Sequence, residues 1–282
     1  MIVRLIYNEW QKIFRKWRTY LGFLAIGIFL PLVFLAIKLS GADAGDLGVE
    51  GLSSLQDFFF ISGNLFNGFL VTRFMMMTFF VHIPFLITLV GGDMLAGEAT
   101  AGTFRILLTR PPSRLHIAGA KVIVAELYTG LLLLFMLVLS LVLGLALFGS
   151  GMLVLTGGGL GFAPPGEALA RILAAYALAF LAMSVVSGLS FLFSALVENA
   201  IGPIIGAMMV VIIFLIITES PFRVFNSVRP FLFTYYAGVW QDMFAVVIPW
   251  REVLFRAGAL ALYAAVFYGL ATVLFLRKDI LS

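Results

Sequence analysis

Long apolar runs separated by short polar ones organise the chain. Six such runs, residues 20–37, 69–91, 122–148, 172–197, 200–218 and 257–276, are made almost wholly of aliphatic, aromatic and small residues. A hydrocarbon core of about 30 Å is crossed by about 20 residues of helix, so each run is long enough to span a bilayer. Barrel strands would instead show short segments alternating with period two. The pattern predicts an all-α integral membrane protein in which residues 1–282 form a single domain with six transmembrane helices. Ahead of the first run, Ile2, Ile6, Trp10, Ile13, Trp17 and Tyr20 recur at spacings of 4, 4, 3, 4 and 3, with Arg4, Lys12 and Arg15 off that face. Residues 1–19 are therefore expected to be an amphipathic helix lying in the headgroup layer, either as an anchor alone or as part of a docking surface for a partner. Its basic residues extend to Arg18, and the run that follows is of spanning length, so the segment is expected to be retained and not cleaved as a secretory signal.

Three polar stretches connect the runs on the other side. Residues 40–54 are Gly-rich and acidic, and residues 149–166 hold Gly157 to Gly161 around Leu160, then Pro164 and Pro165; both read as turn-rich linkers. That glycine run lacks the Gly-Lys-Ser/Thr ending of a phosphate-cradling loop. Residues 219–256 are dense in aromatics, and Gln241, Asp242, Pro230 and Pro249 argue against a seventh crossing. Short interfacial or re-entrant helices are expected there, since amphipathic rings favour the boundary between membrane and water; an outer gate is the functional alternative.

Composition agrees with the pattern: 62% of residues are hydrophobic and 11% charged, against about 45–50% and 25% in soluble domains. If the amino terminus is cytoplasmic, 11 of the 18 Lys and Arg fall on the inner side, among them Arg4, Lys12, Arg15, Lys16, Arg18, Arg105, Arg110, Arg114, Lys121, Arg277 and Lys278. The positive-inside bias thus selects a multi-pass protein of the cell (inner) membrane with both termini in the cytoplasm. The formal net charge of +4 reads as topology, with no basic face outside the span flanks, so no nucleic acid is expected as a partner. The chain has no cysteine, which excludes disulfides, thiolate metal sites and cysteine nucleophiles.

Catalytic constellations are sparse. With two histidines, His82 and His116, and no cluster of carboxylates at ligand spacing, no metal site is expected. Gly188-Leu189-Ser190 resembles a fragment of a serine hydrolase motif, but Phe191 follows it and no histidine is an obvious partner. The intramembrane polar candidates are His82, expected to satisfy itself against a neighbouring helix or to act on substrate or protons, and Glu126, placed within reach of Lys121 at the inner interface. Neither makes a relay.

Residues 93–118 form a polar and basic island between the second and third runs. Gly97-Glu98, Gly102-Thr103, Ile106-Leu107-Leu108, Thr109-Arg110-Pro111, Ser113-Arg114 and Lys121 stand in an order that resembles the cytoplasmic loop of exporter-type ABC transporter permeases of the second (ABC-2-like) family. The tail from Phe275 through Arg277, Lys278 and Asp279 to Ile280 looks like the family's ending, and the likeness is read over essentially the whole chain. Pro112 departs from the family pattern, so the end of the loop's helix is expected to differ.

The resemblance implies a permease half that pairs with a second permease, identical or related, and with cytoplasmic ATPase subunits that bind ATP and Mg; this chain would carry no cofactor and no catalytic residue. Energy would enter through the loop as a coupling helix. A helix from Glu98 to Leu108, ended by Pro111 and Pro112, would present Arg105, Arg110 and Arg114 to partner carboxylates. Phe104, Leu107 and Leu108 would fill a groove, and Gly102, Thr103, Pro111 and Ser113 complete the coupling set. A loop whose arginines only bind phospholipid headgroups is the alternative. Gly202, Pro203 and Gly206 in the fifth run, with Gly22, Gly27 and Pro31 in the first, offer small faces for close helix approach. They are expected either to form the permease interface and border the path, or to pack within one subunit. Few mid-membrane charges and many aromatics suit an apolar or amphipathic cargo. The reading is thus an ATP-driven permease subunit, with a non-transporting scaffold or assembly factor and a secondary transporter as its rivals.

Overall fold

The computed structural model describes residues 2–40, 66–102 and 113–277. Helix α1 (Ile2–Phe14) turns sharply into α2 (Trp17–Ser40). At this corner the Thr19 hydroxyl donates to the Ile13 carbonyl at 2.6 Å and Tyr20 Oη donates to the Phe14 carbonyl at 2.9 Å, satisfying acceptors that the end of α1 leaves open.

The second apolar run forms two helices, α3 (Gly68–Phe80) and α4 (Ile83–Gly91), which meet at a bend of 53°. Pro84 explains the break, because it has no N–H to carry the ladder through and its ring clashes with the preceding turn. Helix α5 (Asp93–Thr100) follows after Gly92. Helix α6 (Arg114–Phe148) then runs the length of the molecule, and an antiparallel hairpin of β1 (Leu153–Thr156) and β2 (Leu160–Ala163) pairs Leu153 with Ala163 and Thr156 with Leu160. The linker expected here is thus ordered. Gly157, Gly158 and Gly159 have φ of 105°, 78° and 141°, which only glycine adopts readily, and they close its turn. Helices α7 (Pro165–Leu196), α8 (Ile201–Glu219) and α10 (Trp250–Arg277) complete the bundle. Between α8 and α10 lie 3-10 turns at Arg223–Phe225 and Arg229–Phe231, the five-residue α9 (Phe233–Ala237) and a longer 3-10 segment, Gly238–Phe244. Among the described residues, helices α2, α6, α7, α8 and α10 are each long and apolar enough to cross a membrane, and the bent pair α3–α4, counted as one broken span, makes a sixth. The protein is an all-α integral membrane protein, with one hairpin among the described residues.

The most buried of these helices is α7, with 67% of its apolar window inside the protein against 17–33% for the other four unbroken helices. Its inward face is rich in small residues, including Ala175, Ala179, Ala182, Ser187, Gly188, Ser190 and Ser194, interspersed with larger ones such as Tyr176 and Phe191. Without a hydrophobic drive between helices in lipid, close backbone approach through such residues is what holds a bundle together. A Cβ on Gly188 would sit 3.3 Å from Phe267 and Tyr268 of α10, and one on Gly91 would sit 3.1 Å from Ser190 Oγ. On the far side α3 and α6 approach as closely: Asn67 caps α3 by accepting from Phe69 and Leu70 N–H, and Thr72 Oγ1 donates to Ser140 O at 3.1 Å.

Arginines tie the end bearing the hairpin together. Arg73 of α3 donates to Val154 O at 2.7 Å and Thr156 Oγ1 at 2.8 Å and lies 4.8 Å from the Phe244 ring. Arg171 of α7 donates to Met243 O and Ala245 O at 2.9 and 2.6 Å. Of the aromatics of this segment, Phe233, Tyr236, Trp240 and Phe244 are buried in a packed cap, whereas Phe222, Phe231, Tyr235, Trp250 and Phe255 stay exposed around it.

The Gly68–Gly144 crossing is the tightest of these contacts, since a Cβ on Gly68 would lie 2.4 Å from the Gly144 carbonyl carbon. Gly68→Ala is expected to destabilise by about 1–3 kcal/mol through overpacking against backbone. Thermal unfolding in detergent should show a lowered midpoint for Gly68→Ala and almost none for Leu145→Ala, a change on the neighbouring exposed position.

Candidate functional site

Glu9 sits on the wrong face of an amphipathic helix. It falls three residues after Ile6 and four before Ile13, so α1 turns it toward the protein body, where it is buried. A carboxylate there requires a cation, and Lys121 of α6 supplies it. Lys121 is 1% exposed, and its ammonium donates to Glu9 Oε2 at 2.7 Å, Glu98 Oε1 at 2.8 Å and Met94 O at 3.0 Å. All three N–H bonds of the ammonium are thereby used. Lys12, one turn after Glu9 and half-exposed, bridges the same two carboxylates at 2.6 and 2.9 Å.

The first residue of α5 extends the cluster. Asp93 accepts from Lys16 at 2.6 Å and Arg18 at 3.3 Å, and its charge also suits the positive end of the α5 dipole. Gly97 is explained by this pair, because a Cβ there would lie 2.4 Å from Asp93 Oδ1 and 3.1 Å from Lys16 Nζ. From the opposite side Ser194 of α7 accepts from the Leu95 and Ala96 N–H groups at 3.0 and 2.9 Å and donates to Gly92 O at 2.7 Å. A serine on one helix thus caps the start of another. Helix α5 is consequently fixed to α1 and α6 through Glu98, to the α1–α2 corner through Asp93, and to α7 through Ser194.

Opposed effects act on Glu98. Burial works to raise its pKa, but the nearby Lys121 and Lys12 ammonium groups outweigh burial and hold the carboxyl below its usual 4.5. Burial works to lower the Lys12 pKa, yet hydrogen bonds and charge from Glu9 and Glu98 prevail and raise it above 10.5.

The sequence-derived coupling set is redistributed by this geometry. Glu98 is 7% exposed and faces its own chain, so it positions the loop and does not reach out from it. The helix that carries Glu98 ends at Thr100, and Gly102 takes φ +65°, the left-handed conformation that stops a helix and favours glycine; the rest of the helix expected to reach Leu108 lies outside the described residues. Thr103, Phe104, Arg105, Leu107, Leu108, Arg110 and Pro111 lie outside the described residues. Ser113 is the N-cap of α6, its hydroxyl accepting from His116 N–H at 3.4 Å, and Arg114 donates to Leu276 O near the end of α10 at 3.2 Å.

The intramembrane candidates are placed differently from expectation. Glu126 does not pair with Lys121; five helical residues put the two side chains roughly 140° apart around the axis. Glu126 instead accepts from Ser184 Oγ at 2.6 Å and Tyr268 Oη at 2.5 Å. His82 is exposed at the α3–α4 bend, its Nδ1 donating to Thr78 O at 3.0 Å within its own segment. Ser190, far from any nucleophile role, donates to Thr88 O. The small-residue faces are used inside the chain: a Cβ on Gly22 would meet Tyr128 Oη at 2.8 Å, one on Gly206 would meet the Phe193 ring at 3.4 Å, and Gly27 faces Phe135. Pro203 is buried, Gly202 lies beside Asn199 and Val197, and Pro31 is half-buried within α2.

A profile of the ABC-2 family transporter proteins matches residues 4–226. The chain belongs to the ABC-2 transporter family. This match takes in α1, the charge cluster and α2 through α8, and ends ahead of α10, so the likeness of the tail at Phe275 is not part of it. The ABC-2 chain is also 27% identical over 178 residues to the uncharacterized protein YhcI of Bacillus subtilis (strain 168), covering 53% of this chain and 57% of that one. It therefore spans little more than half the length of the curated relative it matches.

Of the cluster, the sequence pointed to Glu98 and Lys121 as motif positions, with Glu126 as the partner expected for Lys121, and to Lys12, Lys16 and Arg18 only as basic residues of the inner side. Glu9 carried a readable signal, an acid at the i+3 and i−4 positions of an apolar stripe. Ser194 carried none, since its partner is backbone 98 residues away.

Lys121→Met leaves two buried carboxylates facing one another with only a half-exposed lysine between them, and is expected to cost roughly 3–5 kcal/mol, read as a lower thermal midpoint in detergent. Because the folded pKa of Glu98 lies below 4.5, its stabilisation is complete above the unfolded value and lost as pH falls through the lower folded one. The wild-type midpoint should drop on acidification below about pH 4.5, and Glu98→Gln should flatten that drop.

Proposed function

We propose that this chain is the permease subunit of an ATP-binding cassette transporter, in which separate cytoplasmic ATPase subunits bind ATP and Mg and drive translocation, in the export direction, through this membrane domain. One observation carries the reading: the charge cluster that clamps α5, the segment leading into residues 103–112, to α1, the α1–α2 corner and α6 at once. A loop free to flex would absorb a push from a cytoplasmic partner, whereas one held by buried ion pairs passes the displacement to three helices together. Ser194 adds α7 to that set, and the Arg114 contact with Leu276 adds α10. Hydrolysis is assigned to the partner because the chain has no Gly-Lys-Ser/Thr phosphate loop.

In this reading α1, α5 and both termini lie on the cytoplasmic face of the cell membrane, which the clustering of basic residues supports through the positive-inside bias. Residues 1–19 form the interfacial element, 93–118 the coupling loop and 219–256 the outer aromatic cap of one permease domain. A second permease, identical or related, pairs through the exposed aliphatic sides of α2 and α8, where Ile28, Leu32, Ile205, Met209 and Ile216 point outward, since the glycines of those helices are already used within the chain.

Co-expression with a partner ATPase and reconstitution into vesicles tests the coupling. Asp93→Asn with Glu98→Gln should lower ATP-driven transport by about tenfold, equivalent to about 1.4 kcal/mol, and wild-type transport in that variant overturns the assignment. The absence of native cysteines makes orientation directly measurable. A cysteine at His116 should be labelled only from the cytoplasmic side and one at Ser150 only from outside, and the reverse pattern sinks the topology.

A further inference from the structure

Glu126 is a carboxylate within the hydrocarbon-spanning part of α6, and its two hydrogen bonds come from neutral hydroxyls, those of Ser184 and Tyr268. It belongs to no ion pair among the described residues. Intramembrane carboxylates are expensive and are ordinarily matched by a cation. One wall of a groove of about 520 Å³ is formed by this residue, with Trp10, Val122, Leu127, Leu131, Leu134 and Phe180 among the other lining residues. That volume is in the range of small-molecule sites, which pair a mostly apolar lining with a few placed polar groups. Leu127 and Leu134 are 48% and 53% exposed, so the groove is open to whatever surrounds the protein.

We infer that this groove binds a lipophilic monocation, an amine or quaternary onium group with an apolar body, drawn from the inner leaflet with its charge at Glu126. Complementarity of charge selects the occupant. A carboxylate held by two hydroxyls keeps lone pairs for a third partner, while an anionic head would be repelled at the same place. Trp10 and Phe180 add aromatic rings to the lining, side chains whose π-systems favour a cation over a neutral molecule. Gly130, one turn beyond Glu126 on the same face, keeps the floor low where Phe180 crosses, since a Cβ there would lie 3.4 Å from that ring. Glu126 is 12 residues into α6, roughly 18 Å from its start. With α1 in the cytoplasmic headgroup layer the groove therefore faces the inner leaflet, a placement that rests on the topology proposed above.

Tetraphenylphosphonium and tetraphenylborate share a shape and differ in the sign of their charge, so they test the inference on the full chain in phosphatidylcholine nanodiscs, with empty discs subtracted. Saturable binding of tritiated tetraphenylphosphonium, not displaced by tetraphenylborate, is expected. Glu126→Gln, which retains an acceptor for the hydroxyls, should weaken it by about tenfold or more. Leu134→Trp, a change at an exposed lining position that fills the groove without touching the core, should weaken it as well. Binding that is unsaturable, is equal for the borate, or is unchanged by Glu126→Gln overturns the site. The measurement uses no ATPase, so its failure leaves the permease reading standing, and loss of ATP coupling with intact onium binding would remove the permease reading alone.

Discussion

A single buried ammonium organises the end of this protein at which α6 begins. Lys121 is almost fully enclosed and gives one hydrogen bond each to Glu9, Glu98 and the Met94 carbonyl, groups that belong to two other helices. Desolvating such a group costs several kcal/mol, and the gain from its partners roughly offsets that cost. Net stability is therefore not what the trio mainly contributes. Its effect is on geometry, because any arrangement in which one member leaves strands an opposite charge out of water. Helices α1, α5 and α6 are held in one relative placement by that penalty, and Asp93 extends it to the α1–α2 corner through Lys16 and Arg18.

The remainder of the bundle uses a different physics. Away from the cluster, contacts are made by glycine, alanine and serine at crossings where side chains are nearly absent, as between Gly68 and Gly144 or Gly91 and Ser190. Such crossings tolerate neither added volume nor much sliding. The protein thus has a charged clamp at one end, a close-packed middle centred on α7, and at the other end a cap in which Arg73 and Arg171 bond to backbone carbonyls of the hairpin and the segment before α10.

The spans were legible because a bilayer filters sequence so strongly: length and hydropathy of a run suffice, with no partner needed to interpret it. Details that depend on contact were less so. The amphipathic stripe of residues 2–20 was visible, but Glu9 within it announced a buried cation only to a reader who asks why an acid stands between Ile6 and Ile13. Pro84 was the one local mark of the break in the second span. The pairing of Glu126 with Tyr268 joins positions 142 residues apart and could not be read from either. Gly97 and Gly102 carried the family resemblance as letters; their physical reasons, room for the Asp93–Lys16 pair and a left-handed helix stop, emerged only with neighbours in place.

The break at Val81 and His82 changes what the second crossing is mechanically. Its first half is seated on α6 and its second half on α7, with a 53° change of direction between them. An unbroken rod would deliver an axial thrust from one leaflet to the other. A jointed one would turn the same thrust into rotation of its second segment about the elbow, so that an angle, and not a length, would relate its two ends.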